Sequence, residues 1–298
     1  MFDSFDSRWN DPRDRDGTDE PNRDIYRDSR ERGDDSRDAL LNDLDLPRGL
    51  ERELVLDRDR AYELNGEDSR TLAAVGAFRV VPERDLDSRD DALDCRNDSL
   101  EHLIEQGLVR TVSLDGHDRG VILTDRGRGL LEANRRDRDD ERQQEFYAGV
   151  NRPRELSHDA QLYRAYARAE KPLRDDGAEI RRVVLEQELK REYQSFLQDH
   201  NRDRPDSDGR PDRDPREIAQ WALEHKLPYF DDRVHFPDFR IEYELDGREQ
   251  HRDIEVLTPH YRGAHAASRG RTGFTCFRVR TGGRSGGWFD PRLAEDLL

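Results

Sequence analysis

Residues 233–257 read "RVHFPDFRIEYELDGREQHRDIEVL", and strand geometry would gather the carboxylates of this stretch. Metal-dependent phosphodiester hydrolysis needs carboxylates that converge on Mg2+, and a cation to steady the attacking water or the developing charge. Pro237-Asp238 opens one strand, and Gly247 turns the chain into a second. Alternation puts Asp253, Glu255 and Leu257 on one face of that second strand, with Ile254 and Val256 on the other. The position two after Glu255, where a lysine would serve this chemistry, is Leu257. On residue types alone, Asp238 and Asp253 read equally as turn or edge residues, and Glu255 as a structural carboxylate.

These residues need a sheet and flanking helices to position them. "DAQLYRAYARAEKPL" has helical periodicity, and "AEIRRVVLEQELKREYQSFLQDHN" starts as a strand and becomes a helix at about Glu186. A Pro, Asp and Gly-rich loop follows, then a helix built on Ile218, Trp221, Ala222 and Leu223. The two strands come next, then a short helix around "YRGAHAASRG" and the strand "FTCFRV". With its motifs, this order resembles the PD-(D/E)xK nuclease superfamily over about residues 159–281. Pro237-Asp238 stands as the first motif and Glu255-Val256-Leu257 as the second, and Glu188 matches an extra carboxylate that many members keep. The resemblance implies a Mg2+ set drawn from Glu188, Asp238, Asp253 and Glu255. Some members carry the cation on the next helix, which points to Arg262 and Arg269 as catalytic partners of Asp238 and Glu255. Arginine is always charged and can stabilise a phosphorane, but it cannot act as a base. His260, Tyr261 and His265 lie near, and a histidine can do proton work. The missing lysine favours a fold that is kept while cutting is lost, because the cation is a group this chemistry relies on.

Upstream, the helical spacing of "SRTLAAVGAFRVVPERDL" runs to near Pro82. "CRNDSLEHLIEQGLV" puts Leu100, Leu103, Ile104 and Leu108 on one face, with Gly107 as a stop. The strand "LVRTVSL", the turn "DGHDRG", the strand "VILT" and the helix "TDRGRGLLEANR" follow, with Thr124 as N-cap and Leu130 and Leu131 inward. This order resembles a winged helix-turn-helix over about residues 66–134. Such a module reads base edges from its third helix and holds phosphates with its wing. The candidates for DNA contact are Arg96, Asn97 and His102 on or near that helix, and Arg110, His117 and Arg119 on the wing. Asp90, Asp91, Asp94, Asp98 and Glu101 crowd the same helix and oppose phosphate contact, so a protein-contact module is the competing reading.

Taken together, "LEHLIEQGLV", "LTDRGRGLL", His158-Asp159, "VVLEQELKRE" and "PDF…IEV" resemble the replication-relaxation proteins of plasmids and integrative elements over most of residues 66–280. That family implies a mobile-element DNA-processing setting rather than a defined reaction.

Composition bounds the rest. The chain has 298 residues, 52 Lys and Arg, 69 Asp and Glu and a net charge of −17, which argues against a uniformly basic nucleic-acid binder but allows a local basic face. Only Lys171, Lys190 and Lys226 are lysines, a bias that reads as genome composition rather than arginine chemistry. Cys95 and Cys276 are single and far apart, fitting neither a metal site nor a disulfide framework, so a reducing cytoplasm is the expected setting. No apolar run approaches the ~18 residues of a membrane span, and the N-terminus has no signal core. The histidines lack zinc spacing, and the glycines of "RTGGRSGG" lack the Lys and Ser/Thr of a phosphate loop.

The sequence thus leads us to expect an α+β protein: a disordered charged tail over 1–48, a winged helix-turn-helix over 54–134, a linker over 135–157 and a restriction-endonuclease-like domain over 158–298. The expected function is that of a DNA-binding accessory protein of a mobile element, with double-stranded DNA and a relaxase or other mobile-element protein as partners. The expected cofactor is none, or Mg2+ if the chain cuts. The alternatives are a Mg2+-dependent nuclease or nickase and a winged-helix transcriptional regulator.

Overall fold

A cluster of leucines, "ALLNDLDLP", is the first apolar density along the chain. The computed structural model describes residues 35–58, 60–86, 93–114, 118–136, 143–150, 155–199, 213–257, 271–278 and 287–289, with backbone alone at 93–98 and 287–289. The chain divides after Asp35, and Ser36–Leu298 holds every element below. It begins with a 3-10 turn at Asp38–Leu41, where Leu40 and Leu41, with Leu44 and Leu46 just beyond, enter the core. Packed chain therefore starts before the tail boundary expected at residue 48, because these leucines outweigh the charges around them. The tail up to residue 34 lies outside the described residues.

Strands β1 (Glu53–Asp57) and β2 (Arg60–Leu64) form an antiparallel hairpin that the sequence reading did not anticipate. Val55, Tyr62 and Leu64 face the core, while Leu54 and Leu56 are largely exposed. Helix α1 (Gly66–Phe78) starts at a capping box in which the side chains of Asn65 and Asp68 each accept the other's backbone N–H. It was expected to run to near Pro82 but stops at Phe78. Arg79 turns left-handed with φ 63°, and Val81–Pro82 becomes strand β3. β-Branched residues before a proline favour extended chain, and Pro82 sits on a sheet edge where its missing N–H costs nothing.

Helices α2 (Glu83–Leu86) and α3 (Leu93–Glu105) lead to β4 (Val109–Ser113), β5 (Arg119–Leu123) and α4 (Asp125–Ala133). The three-stranded sheet is ordered β3-β5-β4. Gly107, at φ 72°, ends the α3 region, and Thr124 caps α4 by accepting from the Gly127 N–H at 3.1 Å. Leu103, Leu108, Leu130 and Leu131 are buried, whereas Ile104 stands partly exposed.

Residues 143–150 pack rather than hang as a linker. The Gln144 side chain donates to the Val183 carbonyl at 3.0 Å and accepts from the Val183 N–H at 2.8 Å, mimicking a strand neighbour. Phe146 fills the core beside Gly76, where an added Cβ would come within 2.9 Å of both Phe146 and Leu131. A glycine is therefore required at 76 for this close approach.

Helix α5 (Leu156–Asp175) precedes β6 (Glu179–Leu185), α6 (Glu186–Asp199), α7 (Pro215–Glu224), the short pair β7 (Tyr229–Phe230) and β8 (Arg233–Val234), β9 (Phe239–Leu245), β10 (Arg248–Leu257), β11 (Thr275–Arg278) and β12 (Gly287–Phe289). The large sheet is ordered β12-β11-β10-β9-β6, with β10 and β11 parallel and every other pair antiparallel. An irregularity between Ile180 and Arg182 lets Ile180 and Val183 share the core face. That face also carries Leu185, Phe239, Ile241, Ile254 and Val256. Phe239 meets Phe78 edge to face at 6.2 Å, so one core runs from α1 to the sheet. The opposite face carries Arg182, Arg240, Glu242 and Asp253. The architecture is mixed α+β, and among the described residues no helix is long and apolar enough to cross a membrane.

Candidate functional site

Pro237 enforces extended chain ahead of β9, and Asp238 is fixed there through both backbone and side chain. Its carbonyl accepts from the Glu186 N–H at 2.9 Å, tying β9 to the start of α6, and its Oδ2 accepts from the Val256 N–H at 2.6 Å. In the β9–β10 ladder Ile254 faces Phe239, so the next step sets Glu255 beside Asp238. Glu255 is fully buried. His158, in the first turn of α5, places its Nε2 3.4 Å from Asp238 Oδ1. Burial works to depress His158. The hydrogen bond to Asp238 and the charges of Asp238, Asp159 and Glu255 outweigh it and raise the imidazole pKa above its usual value.

The neighbouring Asp159 belongs to a second cluster. Arg79 reaches across from the end of α1, donating to Asp159 Oδ2 at 3.4 Å and to the side-chain Oε1 of Gln187, with its guanidinium over the Tyr147 ring. A left-handed arginine is strained, and these contacts hold it there. Burial raises the Asp159 carboxyl against the pull of Arg79.

Glu188 and Asp253, the other carboxylates expected around a metal, are engaged by arginines. Arg182 donates to Glu188 Oε1 at 2.7 Å and to Glu242 at 2.7 Å. Burial lifts Glu188 to about 7, opposed by Arg182 and reinforced by the charge of Glu145. Glu145 is itself clasped by both arms of Arg191, at 2.9 and 2.6 Å. Arg240 grips Asp253 with two hydrogen bonds, at 2.6 and 3.0 Å. The structure thus brings Asp238 and Glu255 together and commits Glu188 and Asp253 elsewhere. Among the described residues no group of three or more His, Cys, Asp or Glu side chains is placed to share a metal. The Val256 N–H donates to Asp238, and guanidiniums hold Glu188 and Asp253. Arg262, Arg269, His260, Tyr261 and His265 lie outside the described residues.

The candidates for DNA contact divide. Arg110 is exposed on β4. Arg119 reaches Glu83 at 3.2 Å and the Thr111 hydroxyl at 3.0 Å. His102 turns to the Glu63 carbonyl of β2 at 2.8 Å, so the β1–β2 hairpin packs on the end of α3. His117 and the side chains of Arg96 and Asn97 lie outside what is described.

Sequence reasoning did not single out Arg79, Glu145, Arg182 or Arg240. For Arg182 and Arg240 a signal existed: each is a charge inside a strand otherwise rich in Val, Ile and Phe, which marks a buried ion pair. Arg79 and Glu145 had no local signal. No protein-family model, curated protein or solved structure matches the chain.

Proposed function

We propose that the chain is a DNA-binding accessory protein of a mobile element, of the replication-relaxation or mobilisation type, with a nuclease-like half that holds DNA or a relaxase-type partner without cutting. The order α1–β3–α2–α3–β4–β5–α4, with β3 against β5, supports a winged helix-turn-helix in which α3 enters the groove and β4–β5 is the wing. Helix α5 followed by β6, β9, β10 and the parallel β11 supports a restriction-endonuclease-like sheet. The observation that carries the non-cleaving reading is the use of Glu188 and Asp253. Each neutralises an arginine of the sheet instead of meeting Asp238 and Glu255. The adjacency of Asp238 and Glu255 favours the second reading, a Mg2+-dependent nuclease.

A gel shift on duplex DNA at 50 and 200 mM salt tests the DNA-binding claim. Two or so phosphate contacts would weaken binding about tenfold between those concentrations. Arg110→Ala should weaken it across all sequences and lower the salt slope by about one. Absence of any shift at 50 mM salt would overturn the DNA-binding reading.

A further inference from the structure

Strand β10 outruns the strand beside it. Its parallel ladder with β11 begins at Ile254 and Thr275, so 248–253 pair with β9 on one edge and, among the described residues, with no strand on the other. Backbone N–H and C=O groups alternate between the two edges of a strand. The Val256 N–H points to the β9 side, where it meets Asp238, so Ile254, Arg252, Gln250 and Arg248 turn theirs to β9. Those of Glu249, His251 and Asp253 therefore face the open edge. A space of about 560 Å3 lies there, lined by His251, Arg252 and Asp253 together with Leu223, Thr272 and Phe274. Arg252 and Asp253 belong to opposite faces of the sheet, so a space that touches both sits at the strand's edge rather than over one face.

The charges along this edge lack cross-strand complements. Arg248 lies opposite Leu245 and Arg252 opposite Ile241, which offer no charge, and Glu249 lies opposite Glu244, whose own cation is Arg181. Among the described residues, Arg248, Glu249 and Arg252 have no hydrogen-bond or ion-pair partner. Opposite charges set directly across two strands attract, and like charges repel. A strand on the open edge is the remaining cross-strand neighbour that can supply the complements. Alternation divides the demand: such a strand would carry acids on the face of Arg248 and Arg252, and a base on the face of Glu249. Asp253 makes no demand, because Arg240 already neutralises it. A second copy of β10 would not serve. Antiparallel pairing centred on Gln250 would set Arg248 of one copy against Arg252 of the other, and centring on Glu249 would oppose that residue to itself.

We propose that the open edge of β10 takes an extended segment of a protein partner, in which acidic and basic residues alternate, as an added strand. Main-chain hydrogen bonds to Glu249, His251 and Asp253 hold the segment, and its alternation sets which of its faces turns to which side of the sheet. This docking is independent of DNA binding by the rest of the chain.

The test adds three eight-residue peptides to the full chain: one alternating arginine and aspartate, one with the same residues in two blocks, and the alternating one with its backbone nitrogens methylated. Calorimetry reads affinity, and amide hydrogen exchange followed by NMR reads the edge. The alternating peptide should bind and slow exchange at Glu249, His251 and Asp253, and the other two should bind about tenfold more weakly. The double variant Arg248→Glu, Arg252→Glu, shown to melt like the wild type, should lose about tenfold in affinity for the alternating peptide, the scale of two cross-strand charge pairs. Arg216→Glu, on the exposed side of α7, should lose far less. Exchange at the three amides unchanged by the alternating peptide, a blocked or methylated peptide that binds as well, or a double variant that binds like the wild type would overturn the proposal.

Discussion

The two faces of the large sheet are made from alternate residues of the same strands, and they are held together by different physics. Toward α5, Val183, Phe239, Ile241, Ile254 and Val256 pack in a continuous apolar core, where shape and area decide stability. Toward α6 and α7, Arg182, Arg240, Glu242 and Asp253 lie in a row of charges whose members are neutralised pair by pair. A buried ion pair is weak evidence for stability, because desolvation offsets most of the Coulomb gain. The charged face therefore costs more than an apolar one would. What it gains is a fixed arrangement: Arg240 holds both Asp253 and the carbonyls of the His225–Lys226 turn. Asp238 and Glu255 sit at the end of the same two strands, beside His158.

The sharpest comparison uses neighbours. Phe239→Ala and Arg240→Ala alter adjacent residues on opposite faces; the first should cost about 3–5 kcal/mol by opening a cavity, and the second about 1–3 kcal/mol by leaving the half-buried Asp253 carboxylate without its partner. Urea unfolding would measure both. The double variant Arg240→Met, Asp253→Leu should recover most of the second loss, because it removes the stranded charge. If the double variant stays as unstable as Arg240→Ala, the charged face contributes more than pairing.

A further prediction concerns pH. Burial holds Glu188 at about 7, above its ordinary 4.5. Between those values the folded chain keeps a proton that the unfolded chain has released, so this group's contribution is full below about 4.5 and is lost as pH rises through about 7. His158, also raised, adds a fall of the same sign. Glu188→Gln should flatten the decline in urea midpoint between pH 5 and 7.5, and an unchanged decline would assign it to other groups.

Smaller effects come from local structure. Thr124→Ala removes the α4 cap and should cost about 1 kcal/mol. Lys190→Ala breaks an exposed pair with Glu186 one helical turn away and should cost no more than about 0.5 kcal/mol, less in high salt. Thermal melts of the two side by side would rank them, and an equal loss would mean that the cap is not formed.

What could be read from the sequence follows from range. The strand-to-helix switch at Glu186, the Thr124 cap and the β4–β5 and β9–β10 pairs are local, set by alternation and turn residues, and they stand where expected. Structure that depends on a distant partner was not legible. The β1–β2 hairpin rests on α3 and the core, and Gln144 becomes a strand mimic only beside Val183. Phe146, next to Tyr147 at the end of a charged run, packs close against Gly76. The site divides in the same way. Alternation put Asp253 and Glu255 on one face, but only the cross-strand register shows that Asp253 falls opposite Arg240 while Glu255 falls beside Asp238. His158 and Arg79 arrive from helices far away in the chain; the His158-Asp159 step was part of the family resemblance, but no local pattern put it beside Asp238 or announced Arg79.

The central claim is that the chain holds DNA without cutting it. The most direct test incubates the protein with supercoiled plasmid in Mg2+ and in Mn2+, then resolves the DNA before and after removing the protein. The account predicts retarded plasmid before removal and intact supercoils after it, for the wild type and for Asp238→Asn, Glu255→Gln alike. Nicked or linear DNA from the wild type, absent with the double variant, would contradict it and make the chain a metal-dependent nuclease.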